Sequence, residues 1–245
     1  MTSISKLLNP FLEKKEQNYL TPWGSLEPAV DIFPIIYLIV IYGFIYVLPF
    51  GRNVIGISWF DWFRTEDGPL EWLQFIFFLS ASICCSIILW KTRGQRFRKQ
   101  WVAWLILAFI CLFIAGEEIS WGERITGIGS DFLRSINEQG ESNLHNSEFF
   151  HHKLLDPSII SSGLLFGWMG WNFWPEINAL PKKYYSLYFL PVSLYYFYFD
   201  ISYASTIKQI RFDGEIFELL MALGLLAHCW NSLSQKKRES KKKIY

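Results

Sequence analysis

Long apolar runs, separated by short polar or charged segments, dominate the chain. A helix needs roughly 20 apolar residues to cross a hydrocarbon core about 30 Å thick. Six runs approach that length, and they cover residues 32–50, 69–90, 101–116, 158–174, 184–203 and 216–233. The fourth run is the least apolar, because serines and glycines interrupt it. The pattern predicts an all-α, polytopic membrane bundle of about six transmembrane helices over residues 32–233.

The composition agrees with this interpretation. The 245 residues are 51% hydrophobic and only 18% charged, which is too apolar for an ordinary soluble domain. The net charge of +1 indicates neither a nucleic acid nor an acidic partner, so the expected partner is membrane lipid. The cysteines Cys84, Cys85, Cys111 and Cys229 lie inside apolar runs, a placement that suggests neither a disulfide framework nor a zinc ribbon.

The distribution of charge predicts the orientation of the bundle. Lys and Arg are retained on the cytoplasmic side of a membrane. With the N-terminal segment 1–31 inside, the inner segments hold sixteen of the 23 basic residues, including those of the tail 234–245. Sixteen of the 22 acidic residues then lie at the outer face, many of them in a long outer loop, 117–157. We therefore predict a plasma-membrane protein with both termini in the cytoplasm.

Acidic residues mark the outer ends of several predicted helices. Glu71, Glu215 and Glu218 fall in the first turns of helices that run inward, where the helix dipole favours a carboxylate. That effect alone can explain these three residues, and a functional role for them stays open beside it. Gln74 continues the Glu71 side of its helix, so a polar stripe is expected to face the interior.

Glu117 and Glu118 need a different explanation. They end the third helix, where the dipole repels anions, so they require a cation, a proton or hydrogen-bond donors. If the helix continued, Glu117, Trp121 and Arg124 would share one face, and Arg124 would be the nearest candidate partner. Two interpretations stay open, a structural Glu–Arg clamp and a metal-binding or catalytic role.

The outer loop contains the types of side chain that bind divalent metals. Glu141 and His145 are four residues apart and could chelate from one helical face. No complete motif such as H-E-x-x-H is present, and Gly140 argues against one continuous helix. The alternative is a hydrated loop in which the histidines form hydrogen bonds.

Three segments carry a resemblance to known proteins. EDGPLEWLQFIFFLSAS, GEEISWGERITG and NEQGESNLHN resemble the signatures of a group of uncharacterised bacterial multi-pass membrane proteins. The resemblance implies that one site contains Glu66, Asp67, Glu71, Glu117, Glu118, Arg124, Asn143, His145 and Asn146. The outer acidic and histidine residues are also similar to those of the alkaline ceramidases, which use a metal and a water nucleophile. The ceramidases have paired histidines in their last helix. This chain departs from them because its last helix carries one histidine, His228. Glutamic intramembrane proteases likewise have a Glu-Glu pair followed by Arg, but here five residues rather than three intervene.

Two functions from different classes follow from these observations. The first is a metal-dependent hydrolase of a lipid-like substrate at the outer face, with one divalent metal such as Zn²⁺ or Ca²⁺. Its metal ligands are expected among His145, Glu71, Glu141, Glu117 and Glu118. A remaining carboxylate of the Glu117/Glu118 pair would be the base, and Arg124 would steady negative charge. The second is a non-enzymatic protein that binds or transports a cation or proton, or an assembly partner with a structural polar network; Glu218 belongs to the polar site in either case.

Overall fold

The structure, a computed structural model, is almost entirely helical in the part that it describes. The described residues are 13–15, 18–20, 28–41, 68–95, 98–137, 140, 142–144, 151–202 and 213–242. A short antiparallel pair of strands, β1 (Glu13–Lys15) and β2 (Asn18–Leu20), precedes the helices. The α-helices are α1 (Pro28–Leu38), α2 (Pro69–Lys91), α3 (Lys99–Glu118), α4 (Glu123–Thr126), α5 (Asp131–Ile136), α6 (Asp156–Leu164), α7 (Gly170–Phe173), α8 (Ser186–Tyr196) and α9 (Gly214–Lys242). The predicted helical class is therefore confirmed.

Three of these helices are long and apolar enough to cross a membrane. They are α2, α3 and the Gly214–Gln235 part of α9, with mean hydropathies of 2.1, 1.9 and 1.4. Pro69 follows the N-cap Gly68, where proline's fixed φ favours helix initiation. The predicted spans 69–90, 101–116 and 216–233 coincide with these helices. Together they give the chain the character of an integral membrane protein.

The other predicted spans are helical but are not α-helical throughout. Within 158–174, the π-helical turn Leu165–Met169 separates α6 from α7. Within 184–203, α8 gives way to the π-helical turn Phe197–Ser202. The run 32–50 begins in α1, and its second half, 42–50, lies outside the described residues. No one of these runs forms a continuous α-helix of spanning length in the described part of the chain.

The helices pack around one apolar core. Helix α2 packs against both α3 and α9, and α8 joins α6 to α9. Small residues permit the closest approaches. A Cβ on Gly224 of α9 would lie 2.5 Å from Cβ of Tyr188 in α8. Phe78, Cys85 and Leu220 are among the fully enclosed core residues.

This packing gives the bundle two chemically distinct ends. One end is where α2 and α9 begin and α3 ends, and we call it the acidic end. There, Gln74 of α2 contacts Glu215 of α9. The opposite, basic end carries the exposed cations Lys91 and Arg93 near the α2–α3 connection. His228 is buried 13 residues beyond Glu215 in α9, stacks on Trp104 and contacts the carbonyl of Ala179. It therefore lies apart from the acidic end, as its position in the sequence predicts.

Candidate functional site

The acidic end contains a buried ion pair between two distant segments. Glu71, in the first turn of α2, is 2% exposed and accepts a hydrogen bond from Nη1 of Arg124. The same Nη1 donates to the backbone oxygen of Glu118 at 2.9 Å. Arg124 therefore connects the start of α2 to the end of α3, and its partner carboxylate comes from a different helix.

A left-handed turn brings Arg124 to this position. After α3 ends, Ser120 and Trp121 have φ values of 49° and 54°, and Gly122 has a φ of 91°. Two consecutive non-glycine residues in this region indicate local strain that the surrounding packing must offset. Part of that packing is the Trp121 ring, which lies over Gly116, where a Cβ would come within 2.9 Å of it. The turn ends α3, so the continuous Glu117–Trp121–Arg124 helical face considered from sequence does not form.

Helix α9 contributes two further carboxylates. Nε2 of Gln74 donates to Oε2 of Glu215 at 2.9 Å and to the Glu215 carbonyl at 3.0 Å. The hydroxyl of Tyr196, at the end of α8, donates to Oε1 of Glu218. Glu71, Glu118, Glu215 and Glu218 form what we call the carboxylate cluster.

Glu118 is the central member of the carboxylate cluster. The charges that act on it are those of Glu218, Glu215, Glu71 and Arg124. It is 8% exposed, and among the described residues no donor forms a hydrogen bond with its carboxylate. It is also the last residue of α3, where the helix dipole disfavours an anion. Glu118 therefore combines burial with several neighbouring negative charges.

Glu117 has a different environment from its neighbour. Its carboxylate accepts a hydrogen bond from Nε1 of Trp121 and one from the backbone N–H of Leu144 at 2.7 Å. These contacts fasten the outer loop to the end of α3. Adjacent helical residues differ by about 100° in direction, so the two glutamates can serve different purposes. Glu117 anchors the loop, whereas Glu118 faces the carboxylate cluster.

Asparagine side chains strengthen the same loop. Nδ2 of Asn137 donates to the carbonyl and to Oδ1 of Asn143, at 3.0 and 2.6 Å. Nδ2 of Asn143 in turn donates to Oγ of Ser120 in the left-handed turn, at 3.1 Å. Asn143 is fully buried. This predicted site residue thus holds the loop against the turn that positions Arg124.

Glu123 closes a second set of loop contacts. It accepts hydrogen bonds from the Ser142 backbone N–H at 2.6 Å and from Nε of Arg134 at 2.7 Å. The hydrogen bonds from Ser142, followed by those from Arg134, lower the pKa of the Glu123 carboxyl. Oγ of Ser142 also accepts from the N–H of Ser130 at 2.6 Å. The loop segments 130–134 and 142–144 are therefore tied to one carboxylate.

Several predicted site residues cannot be placed. Glu66, Asp67, Glu141, His145 and Asn146 lie outside the described residues. Within the described ranges, no group of three or more His, Cys, Asp or Glu residues is arranged to hold a metal ion. The proposed metal ligands His145 and Glu141 therefore remain predictions.

Little in the sequence indicated that two residues, Tyr196 and Glu215, belong to the site. Tyr196 belongs to an aromatic run, YYFYF, in which nothing distinguishes it from its neighbours. Glu215 was sufficiently explained by the helix dipole, and its contact with Gln74 depends on how α2 and α9 pack. The polar stripe predicted on α2 was the available signal, because Gln74 is buried and faces α9.

Comparison with known proteins adds no further constraint on the site. No protein-family model, curated protein or solved structure matches the chain. The resemblances described from the sequence therefore stay predictions, and the function must be argued from the geometry.

Proposed function

We propose that this chain is an integral membrane protein that binds a cation at the carboxylate cluster, in competition with protons. The observation that carries the proposal is the environment of Glu118. This carboxylate is 8% exposed, and the described charges that act on it are those of three carboxylates and one guanidinium. Ionised carboxylates in such a place are costly unless positive charge balances them.

The burial of the Glu118 carboxylate near other carboxylates supports a bound cation. An ionised and buried Glu118 needs positive charge beside it, which a proton or a cation would supply. Oε1 of Gln74, whose Nε2 contacts Glu215, is also buried and has no donor among the described residues. A carboxylate oxygen and an amide oxygen can together coordinate one cation.

The surroundings favour binding at one end over passage through the bundle. Below the carboxylate cluster, the described core between α2, α3 and α9 is largely apolar, with Phe78, Ala81 and Leu220 enclosed in it. Ion pathways through membranes are usually lined by polar or ionisable groups. The site is therefore proposed as a binding site that opens at the acidic end.

The proposed topology retains six spans, with both termini in the cytoplasm and the acidic end outside. The asymmetry of Lys and Arg supports it. Labelling single cysteines with a membrane-impermeant maleimide tests it. Ile128→Cys, at a position that is 79% exposed, should react in intact cells, whereas Gly94→Cys should react only after lysis. The described native cysteines are buried and should give little background. The reverse pattern would overturn the orientation.

Ligand-dependent thermal stability tests the binding function. Purified protein would be heated with Na⁺, K⁺, Ca²⁺, Zn²⁺ or methylammonium chloride, at constant ionic strength. One of these cations should raise the melting temperature of the wild type, because a ligand that binds only the folded state stabilises it. Glu118→Gln should lose most of that shift. Glu176→Gln, an exposed neutralisation away from the cluster, should retain it. Equal shifts in all three proteins would refute the site.

Metal-dependent hydrolysis remains the competing hypothesis. It depends on His145 and Glu141, which lie outside the described residues. Elemental analysis of the purified protein distinguishes it from the proposed function. A stoichiometric divalent metal that disappears in His145→Ala would favour the hydrolase, and a metal content that His145→Ala leaves unchanged would exclude that ligand set.

A further inference from the structure

A shallow apolar groove runs along the outside of α2, away from the carboxylate cluster. Its volume is about 400 Å³, and α2 supplies most of its wall, including Leu79, Ile83, Ile87 and Trp90, with Leu112 of α3 opposite. Two serines lie on the same wall, Ser86 and Ser82, and the Ser82 hydroxyl donates to the Ala108 carbonyl at 2.9 Å. The rest of the lining is apolar.

The groove has the length of one membrane leaflet. From Leu79 to Trp90 the helix rises about 16 Å, at about 1.5 Å per residue. That is about half of a hydrocarbon core that is about 30 Å thick. The groove begins near the middle of α2 and ends at Trp90, one residue before the end of the helix. A groove of this length fits a ligand that occupies only the leaflet at the basic end.

Cations lie where the groove ends. The guanidinium of Arg93 is 5.0 Å from the centre of the Trp90 ring, and Lys91 and Arg93 are both exposed. Tryptophan and basic side chains are typical of the level of lipid headgroups. Each basic residue near a membrane surface attracts anionic lipid by about 1 kcal/mol. An apolar groove that leads to exposed cations is complementary to an anionic amphiphile.

We propose that this groove binds one acyl chain of an anionic phospholipid from the leaflet at the basic end, with the lipid phosphate against Arg93 and Lys91. The volume, near the lower limit of the ~300–1,000 Å³ range of small-molecule sites, fits one chain rather than a whole lipid. The groove and its cations are separate from the carboxylate cluster, so this inference does not depend on cation binding there.

Native mass spectrometry of the detergent-solubilised full chain tests the proposal. The protein would be incubated with phosphatidylglycerol or with phosphatidylcholine of identical acyl chains, and the bound lipid would be counted. The wild type should retain phosphatidylglycerol about thirtyfold better, as expected for two basic contacts of about 1 kcal/mol each. Arg93→Gln should reduce that preference to about fivefold, and Arg93→Lys should keep most of it.

A matched control and a groove-filling variant complete the test. Lys183 lies 5.4 Å from the Trp171 ring in a similar cation–aromatic pair outside the groove, so Lys183→Gln should leave the preference unchanged. Ile83→Trp should reduce the binding of both lipids, whereas Ile76→Trp, at an equally exposed position on α2 outside the groove, should not.

Three results would overturn the proposal. The first is equal retention of the two lipids by the wild type. The second is unchanged retention in both Arg93→Gln and Ile83→Trp. The third is a dimer that Ile83→Trp dissociates, because the groove would then hold a second copy of the chain rather than lipid.

Discussion

Replacing Arg124 by glutamine removes the guanidinium that pairs with Glu71, while leaving a side chain of similar length and polarity. The side chains of Arg124 and Glu71 are only 10% and 3% exposed, so the pair belongs with buried ion pairs rather than surface ones. Breaking a buried pair from one side costs about 3–5 kcal/mol, whereas a surface pair contributes about 0–1 kcal/mol. Arg124 also donates to the Glu118 carbonyl, which places the expected loss in the upper part of that range.

A double-mutant cycle distinguishes the pair from a general effect of substitution. Unfolding by sodium dodecyl sulfate in mixed micelles, followed by tryptophan fluorescence, gives the free energy of unfolding. Glu71→Gln together with Arg124→Gln should recover about 2 kcal/mol relative to the sum of the single losses, because neither member of the pair is then left buried without the other. Arg98→Gln, at an exposed position at the basic end, should change stability by less than about 0.5 kcal/mol. Additive single losses, or a loss below about 1 kcal/mol for Arg124→Gln, would refute the buried-pair interpretation.

Two further predictions concern the outer loop and the helix packing. Because the folded pKa of Glu123 is lowered, its stabilisation of the loop should be complete above the ordinary carboxyl pKa of about 4.3 and should be lost as the pH falls through the lower folded value. Hydrogen exchange of the Ser142 amide should therefore accelerate at acidic pH in the wild type, after correction for intrinsic rates, and Glu123→Gln should remove that dependence; the same pH profile in both proteins would contradict it. Gly224→Ala should destabilise the bundle by about 1–3 kcal/mol in the same unfolding assay, because its Cβ would lie 2.5 Å from Cβ of Tyr188, whereas Gly94→Ala meets nothing within 4 Å and should be tolerated.

The sequence predicts the long helices well, because each is a nearly uninterrupted apolar run. It predicts the other spans less well. Gly163 of α6 lies so close to Ser193 of α8 that an added Cβ would clash with its Oγ, and two residues later the π-helical turn Leu165–Met169 replaces regular α-helix. Such packing depends on the partner helix, and hydropathy along one segment contains no information about it.

The candidate site shows a similar limit. The directions of the predicted helices place four carboxylates at one end of the bundle, those of Glu71, Glu118, Glu215 and Glu218. The structure also places them at one end. Which of these carboxylates pairs with Arg124 depends on the left-handed turn at 120–122. The sequence does not predict that turn, because Ser120 and Trp121 are not residue types that favour a positive φ.

The sequence also did not predict that Glu117 and Glu118 have different hydrogen-bond partners. Considered as an adjacent pair, both appeared equally to need a cation, a proton or hydrogen-bond donors. The structure satisfies Glu117 with two N–H donors from the loop, whereas no described donor reaches the Glu118 carboxylate. Of the two carboxylates, Glu118 is therefore the candidate cation ligand.

Proton release on cation binding tests the central claim most directly. The cation that stabilises the wild type would be titrated into the protein by calorimetry, in two buffers of equal pH and different ionisation enthalpy. If the cation displaces protons from the carboxylate cluster, the observed enthalpy should depend on the buffer, and apparent affinity should weaken as the pH falls. Glu118→Gln should bind more weakly, with less proton release, and Glu176→Gln should match the wild type. Binding without proton release at any pH, or release that Glu118→Gln leaves unchanged, would contradict the account.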